Sequence, residues 1–424
     1  MRSPIATALL AVVALLVAAL VGDTRAEQAL TVEQVVALAL EANPQVRAAR
    51  ARWYSASHSI NQTYAPADPI LSYGNLDSPT DGIDHASSHS LQVSQALQFP
   101  GKALLQAQSA KRTAEVARLS YEAALRDIRA QAETGYYQIL LDGALADLTA
   151  ENVASLRRVL EVTEVAYSSS SVTQADFIGA EFELAAAQQQ ERQFRTAEAN
   201  DEAALNQLLN RSPDQPLSLD RRLAFSPLEA RLDILVEQAT RVRQEILQAA
   251  LAERNSATAL TLAKLEYAPD YTVSYIFNHY LLPSAAPAPN ITQTHGFSIA
   301  FNAPLFFWLK QSEDVQRASY DLEAAREDLS SIKNQTAAQV TTLYRQAQLS
   351  YSTAVLYRNS LIPLARQWFE VALVGYQGGK IDFITLATTL RQSNDARVVY
   401  LQAANQFLAQ RIALEQAIGG PIPR

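Results

Sequence analysis

The chain has 424 residues, a formal net charge of −8, 13 Gly and no Cys. The acidic balance excludes the basic face that a nucleic-acid binder needs. The missing Cys excludes disulfides, thiolate metal centres, Cys nucleophiles and a lipidated N-terminal Cys.

Residues 1–26 come first. Arg2 precedes an apolar run from Ile5 to Val21, and small residues stand at Thr24 and Ala26. This pattern suits a secretory signal peptide cleaved after Ala26; a short membrane anchor is the other reading. No later segment is apolar enough to span a bilayer as a helix, so any insertion of the exported chain must use strands.

Thr31-Val32-Glu33-Gln34 reads as a helix start, with a capping Thr and a Gln at the third helical position. That helix runs to Asn43-Pro44 and a second to about Thr63. Ile70-Leu71-Ser72-Tyr73 and Ser90–Phe99 read as strands. In the second, Leu91, Val93 and Leu97 fall on one face, and Gln92, Ser94 and Gln98 largely on the other. Asp77–Gly82 between them is a turn-rich loop. Gly101–Ser168 contains no Pro and carries a mostly Ala seam at heptad spacing, Ala103, Ala107, Ala110, Ala114, Ala117, Tyr121, Ala124 and Ile128. As one helix it spans roughly 100 Å and needs lateral neighbours. Ser168–Ser171 breaks it, and a return helix runs from about Gln174 to Asn210. A Pro-bearing linker covers 211–229.

The second half repeats the plan. Helices cover roughly 230–265, strands 271–280 and 296–303, and a long helix starts near Phe307, with Pro363 expected to kink it. It ends at Gly375–Gly379. A return helix spans Asp382–Ile418 and stops at Gly419-Gly420-Pro421. Tyr64-Ala65-Pro66 matches Tyr267-Ala268-Pro269 at an offset of about 203, and Tyr167 matches Tyr376 at about 209. The chain is therefore organised as a first repeat, 27–210, the linker, 211–229, and a second repeat, 230–424.

Four strands per chain do not close a barrel, since small closed barrels need about eight. Exported, open-edged strands would aggregate. The geometry therefore demands assembly, with long helix pairs continuing a barrel.

The mature chain resembles the TolC outer-membrane efflux family, on the side of its CzcC-like heavy-metal branch. The pieces that carry the resemblance are Leu38-Ala39-Leu40-Glu41-Ala42-Asn43-Pro44, Gln98-Phe99-Pro100-Gly101-Lys102, Leu361-Ile362-Pro363-Leu364-Ala365 and Gly375–Lys380, in this order. The resemblance implies a mainly α fold with a β-barrel portion: a homotrimer whose 12-stranded barrel lies in outer-membrane lipid and continues as a helical coiled-coil tunnel through the periplasm. It further implies a periplasmic membrane-fusion adaptor and an inner-membrane pump of the resistance–nodulation–division (RND) type. The protein is then the passive exit duct for metal ions or small toxic compounds. The alternatives are a duct for type I protein secretion, or a periplasmic coiled-coil scaffold without a pore.

By the same resemblance the tunnel's periplasmic aperture is formed by the two helix turns and carries Tyr167, Asp176, Tyr376, Lys380 and Asp382. Asp176 corresponds to an Asp that bonds a Tyr on the other helix pair, here Tyr376. Asp176 also reads as a plain helix N-cap. The family's inward acidic ring falls on Thr385 and Thr388, so a carboxylate ring is not carried over. Glu181 and Glu183, with Asp382, are alternative tunnel-wall charges or members of a solvated face. His85 and His89 are read as a loop pair, and His279 and His295 as flanking the other strand connection. Neither pair is expected to form a metal site. No cofactor is implied, and nothing in the sequence supports catalysis: Ser-rich turns lack a nearby His and no phosphate loop occurs.

Overall fold

The computed structural model describes residues 29–79, 85–169, 171–222, 225–281 and 293–423. The expected signal peptide lies outside these residues, as do the Pro-rich positions 283–289. In chain order the elements are α1 (Val32–Ala42), α2 (Pro44–Tyr64), β1 (Ile70–Pro79), β2 (His85–Leu97), α3 (Lys102–Ser168), α4 (Gln174–Leu208), α5 (Leu232–Val242), α6 (Gln244–Leu265), β3 (Tyr271–Leu281), β4 (Gln293–Phe301), α7 (Gln311–Leu356), α8 (Ile362–Gln377) and α9 (Phe383–Ile418). Among the described residues no helix is long and apolar enough to cross a membrane.

The duplication is visible in backbone detail. The Thr31 amide donates to Gln34 Oε1 at 2.9 Å and opens α1. Asn43 then breaks α1 from α2 with φ −68° and ψ 126°, its N–H held by the Ala39 carbonyl. Arg243 breaks α5 from α6 with φ −61° and ψ 126°, its N–H held by the Ala239 carbonyl. Val35 and Ala39 in one copy, and Leu235 and Ala239 in the other, are wholly buried at positions about 200 residues apart. The same apolar stripe, interrupted by the same extended residue, was written twice.

The four strands form one antiparallel sheet in the order β1-β2-β3-β4. Leu91 is opposite Phe277 and Val93 opposite Tyr275; Tyr275 is in turn opposite Phe297. Since side chains alternate along each strand, one face collects Leu71, Tyr73, Leu91, Val93, Tyr271, Tyr275, Phe297, Ile299 and Phe301. The other collects Ser72, Ser90, Gln92, Ser94, Thr272, Ser274, Asn278, Thr294 and Ser298. Ser274 and Ser94 bond each other on that polar face at 3.0 Å. The alternation expected in β2 therefore extends over most of the sheet, with Gln95, His89, His279 and His295 on the aromatic face and Ile70 and Ile276 on the polar one.

Three expectations are corrected. His89 does not lie in a loop: β2 begins at His85, because the alternation of Leu91 and Val93 continues backwards through His89. His89 stands opposite His279, and its Nδ1 bonds the Tyr73 hydroxyl at 2.8 Å. The second long helix starts at Gln311 and not near Phe307. Residues 305–310 are a turn after Pro304, in which Phe306, Phe307 and Trp308 pack edge-on. The break expected at Pro363 takes the form of a π-helical turn, Tyr357–Leu361, immediately before α8. A π turn re-spaces the carbonyls that a ring nitrogen leaves without a donor.

The chain forms two compact units, each drawing on both sequence repeats. Among the described residues, the first holds those up to 44, 127–229 and 342–416; the second holds 45–126, 230–341 and those from 417 on. In the first unit the linker is tied down. Leu30 and Leu219 form a parallel bridge, and Asn206 donates to the Gln215 carbonyl at 2.8 Å. In the second, the α3 seam residues Ala107 and Ala114 are buried.

At the foot of the sheet, Gly101 turns with φ 98°, which suits a residue without Cβ. The next residue, Lys102, is 2 % exposed, with Nζ 3.0 Å from Asp270 Oδ1 and 3.3 Å from Glu266 Oε1. Asp270 Oδ1 also accepts the Phe99 amide at 2.7 Å. The Phe99–Lys102 segment of the first copy is thereby clasped to the strand entry of the second.

Candidate functional site

The two helix turns lie in the first unit and share a core. Val159 on α3, Ala180 on α4, Ala372 and Tyr376 on α8, and Phe383 and Leu386 on α9 are buried together. The four-residue step from Val159 to Thr163 puts both on the face that meets this core. Gly179 lets Phe383 come close: a Cβ at Gly179 would stand 3.0 Å from the Phe383 ring.

The α3–α4 turn is closed by a reciprocal capping box. Asp176 Oδ2 accepts the Thr173 amide at 3.0 Å and the Thr173 hydroxyl at 2.8 Å, while Thr173 Oγ1 accepts the Asp176 amide at 3.2 Å. Asp176 is thus at the third helical position and Thr173 is the N-cap, which corrects the plain N-cap reading. Tyr167 is 42 % exposed and stacks on Phe177 with centroids 5.7 Å apart.

The α8–α9 turn is Gly378–Asp382. Gly379 adopts φ 66°. Lys380 and Asp382 are exposed. Asp382 Oδ1 accepts the Thr385 amide at 2.8 Å and caps α9. Its bonds to Thr385 hold its carboxyl below the ordinary range. Tyr376 is only 7 % exposed. Its hydroxyl lies 3.1 Å from Thr163 Oγ1, and that Thr donates to the Val159 carbonyl at 2.8 Å.

The two predicted partners, Asp176 and Tyr376, are therefore each satisfied elsewhere within the chain. The residues that hold the turns together, Thr163, Gly179 and Phe383, carry no charge and were not singled out by sequence. Thr163 could have been found from its heptad spacing to Leu156.

Of the suggested wall residues, Glu181 and Thr385 are exposed, and Glu183 and Thr388 half-buried. Thr388 Oγ1 bonds back to the Ile384 carbonyl at 2.7 Å. Glu183 borders a cavity of about 160 Å³ between α3, α4 and α9, beside the bonded pair Asn152 and Asn394. Among the described residues no group of three or more His, Cys, Asp or Glu is arranged to hold a metal.

The chain matches the outer membrane efflux protein family over residues 35–211 and again over 235–420. It belongs to that family. The double match falls on the two copies read from the sequence. The cobalt-zinc-cadmium resistance protein CzcC of Cupriavidus metallidurans is 23 % identical over 406 residues, covering 92 % of this chain and 90 % of that protein. Among solved structures, the outer-membrane channel OprN superposes with a TM-score of 0.78 at 16 % identity, over 92 % of this chain and 90 % of that one. The open state of the Neisseria gonorrhoeae MtrE outer membrane channel gives 0.76 at 16 % identity, over 93 % and 90 %. The protein is thus an outer membrane efflux protein with the fold of solved outer-membrane channels.

Proposed function

We propose that the chain is the trimeric outer-membrane duct of an RND-type tripartite efflux system, docked to a periplasmic adaptor and receiving divalent metal ions. The observation that carries this reading is the four-stranded sheet, with one aromatic face, one hydroxyl-lined face and two unpaired edges. A transmembrane barrel needs an apolar outer face, a polar interior and no free edge. Three such sheets closed edge to edge supply all three. The metal branch rests on the 23 % identity to CzcC, whose name records cobalt, zinc and cadmium resistance.

The two helix turns form the periplasmic aperture in this reading. Tyr167, Lys380 and Asp382 are exposed there for contacts with neighbouring chains. Asp176 and Tyr376 steady the two hairpins from within, Asp176 through the capping box with Thr173 and Tyr376 through its bond to Thr163. Glu181, Glu183, Thr385 and Thr388 line the approach.

Planar-bilayer conductance of the purified protein tests the duct. We expect low conductance that rises when Asp176→Ala is combined with Tyr376→Phe; no conductance in either form overturns it. Restored tolerance of a deletion strain to cobalt, zinc or cadmium on complementation tests the cargo. Unchanged tolerance overturns the metal assignment and leaves the duct standing.

A further inference from the structure

In the second unit the helices follow a lateral order. Trp53 on α2 stacks on Tyr121 of α3 at 5.7 Å. Arg112 on α3 bonds Thr258 of α6 at 2.6 Å, and Arg126 pairs with Glu245 of α6 at 2.6 Å. Arg326 on α7 reaches Glu253 of α6 at 3.4 Å. The order is α2, α3, α6, α7, so α2 and α7 are the two edges. They are also the helices that lead into β1 and out of β4, the two edges of the sheet.

These edges carry opposite charge. Helix α2 contains Arg47, Arg50 and Arg52 and no Asp or Glu. The first half of α7 is acidic, and its two arginines are already paired, Arg317 with Asp314 and Arg326 with Glu253. Arg47, Arg50, Asp321 and Asp328 are all exposed and make no ion pair among the described residues, Arg50 being held within α2 by two bonds to the Tyr54 hydroxyl at 3.0 and 3.1 Å. Arg52 borders a groove with Ala117 and Ser120 of α3. At about 100° per residue, Arg47 and Arg50 lie roughly 140° and 160° round α2 from Arg52, away from α3. By the same measure Asp321 and Asp328 lie roughly 140° and 160° round α7 from Arg326, away from α6. The repeat also sets their level. The offset of 200 between Asn43 and Arg243 pairs Arg50 with Ala250, about one turn before Glu253, and Glu253 touches Arg326, two residues from Asp328.

We propose that Arg47 and Arg50 of one chain pair with Asp328 of a second copy of this chain, Asp321 extending the acidic edge. This interface is head-to-tail, because the patch on α2 differs from the patch on α7, and it repeats in one direction until the ring closes. The charges fix which edge meets which before the strands of neighbouring copies zip together. Like edges, α2 on α2 or α7 on α7, repel.

The proposal rests on the trimeric reading, and the experiment separates the two. The chain has no Cys, so introduced thiols are unique. Arg50→Cys with Asp328→Cys, treated with a short bis-maleimide in mild detergent, should give a ladder ending at three chains. Either substitution alone should give none. Arg47→Glu with Arg50→Glu should raise the concentration for half-assembly about tenfold or more, and adding Asp321→Arg and Asp328→Arg should restore it. A trimeric wild type with no ladder from the double-Cys form, or with assembly untouched by the Arg reversals, overturns the pairing. A monomeric wild type overturns the trimeric reading itself.

Discussion

The Tyr376 hydroxyl and the Thr163 hydroxyl meet 3.1 Å apart in the buried contact between α8 and α3. Thr163 spends its own proton on the Val159 carbonyl, so Tyr376 is the donor and Thr163 the acceptor. The two partners are therefore unequal in what their removal leaves behind. Tyr376→Phe takes away the donor and strands nothing, and should cost about 0.5–1.5 kcal/mol. Thr163→Val leaves a buried phenol without an acceptor and should cost about 1–3 kcal/mol. Denaturant unfolding of both variants, with amide exchange of the α8–α9 turn, checks the order. Equal losses would remove the donor assignment.

Gly179 and Phe383 make a second, apolar contact between the hairpins. Gly179→Ala gains helix propensity, worth about 1 kcal/mol, against a mild crowding of the ring, and should be near neutral. Gly179→Val should destabilise by about 1–3 kcal/mol, and Phe383→Leu should recover part of that loss. The same unfolding measurement reads both; additive effects of the two substitutions would show that they do not touch.

Lys102 is a buried cation with two carboxylate partners. Lys102→Met leaves Asp270 with only the Phe99 amide on that oxygen and should cost about 1–3 kcal/mol, below the usual range for a buried pair because Asp270 keeps solvent contact. In a double-mutant cycle, Lys102→Ala and Asp270→Ala should couple by at least about 1 kcal/mol. No coupling would mean that the clasp is held by its backbone bonds alone.

Asp142 on α3 is almost wholly buried, and its carboxyl is pushed up to about 6, first by burial and then by a bond to the Asp201 carboxyl. The folded chain therefore holds this proton more tightly than the unfolded one. The contribution to stability is complete below the ordinary carboxylate range and is lost as pH rises through about 6. Asp142→Asn should be more stable than wild type at pH 7.5, should lose part of that advantage by pH 5 and the rest below the ordinary carboxylate range. Parallel unfolding curves at the two pH values would refute the shared proton.

The duplication, the strand positions and the Ala seam were legible in the sequence because each is a local, periodic signal. β2 was read too short because its first residues, His85 to His89, are Ser, His and Ala, which carry no strand signal. Its true start is set by pairing with β1 and β3, which a single strand does not reveal. The partner of Tyr376 was not legible. Its contact with Thr163 joins helices from different copies, and the axial offset between them depends on the lengths of both turns. The charged candidates drew attention at the turns, yet Asp176 and Asp382 serve their own helix starts. The contact between hairpins is left to Thr163, Gly179 and Phe383, residue types that carry no chemical flag.

The hydroxyl-lined face of the sheet has one more consequence. On the three rungs from Ile70, Ser94, Ser274 and Ser298 to Gly74, Ser90, Asn278 and Thr294, its residues are Ser, Thr, Asn, Gln, Gly and Ile, with no ionisable group. Water finds a partner at nearly every rung, but an ion finds no fixed counter-charge to rest on and none to repel it. Such a wall lowers friction without exercising choice. In the proposed trimeric barrel, discrimination between solutes is then made upstream, before anything reaches the strands.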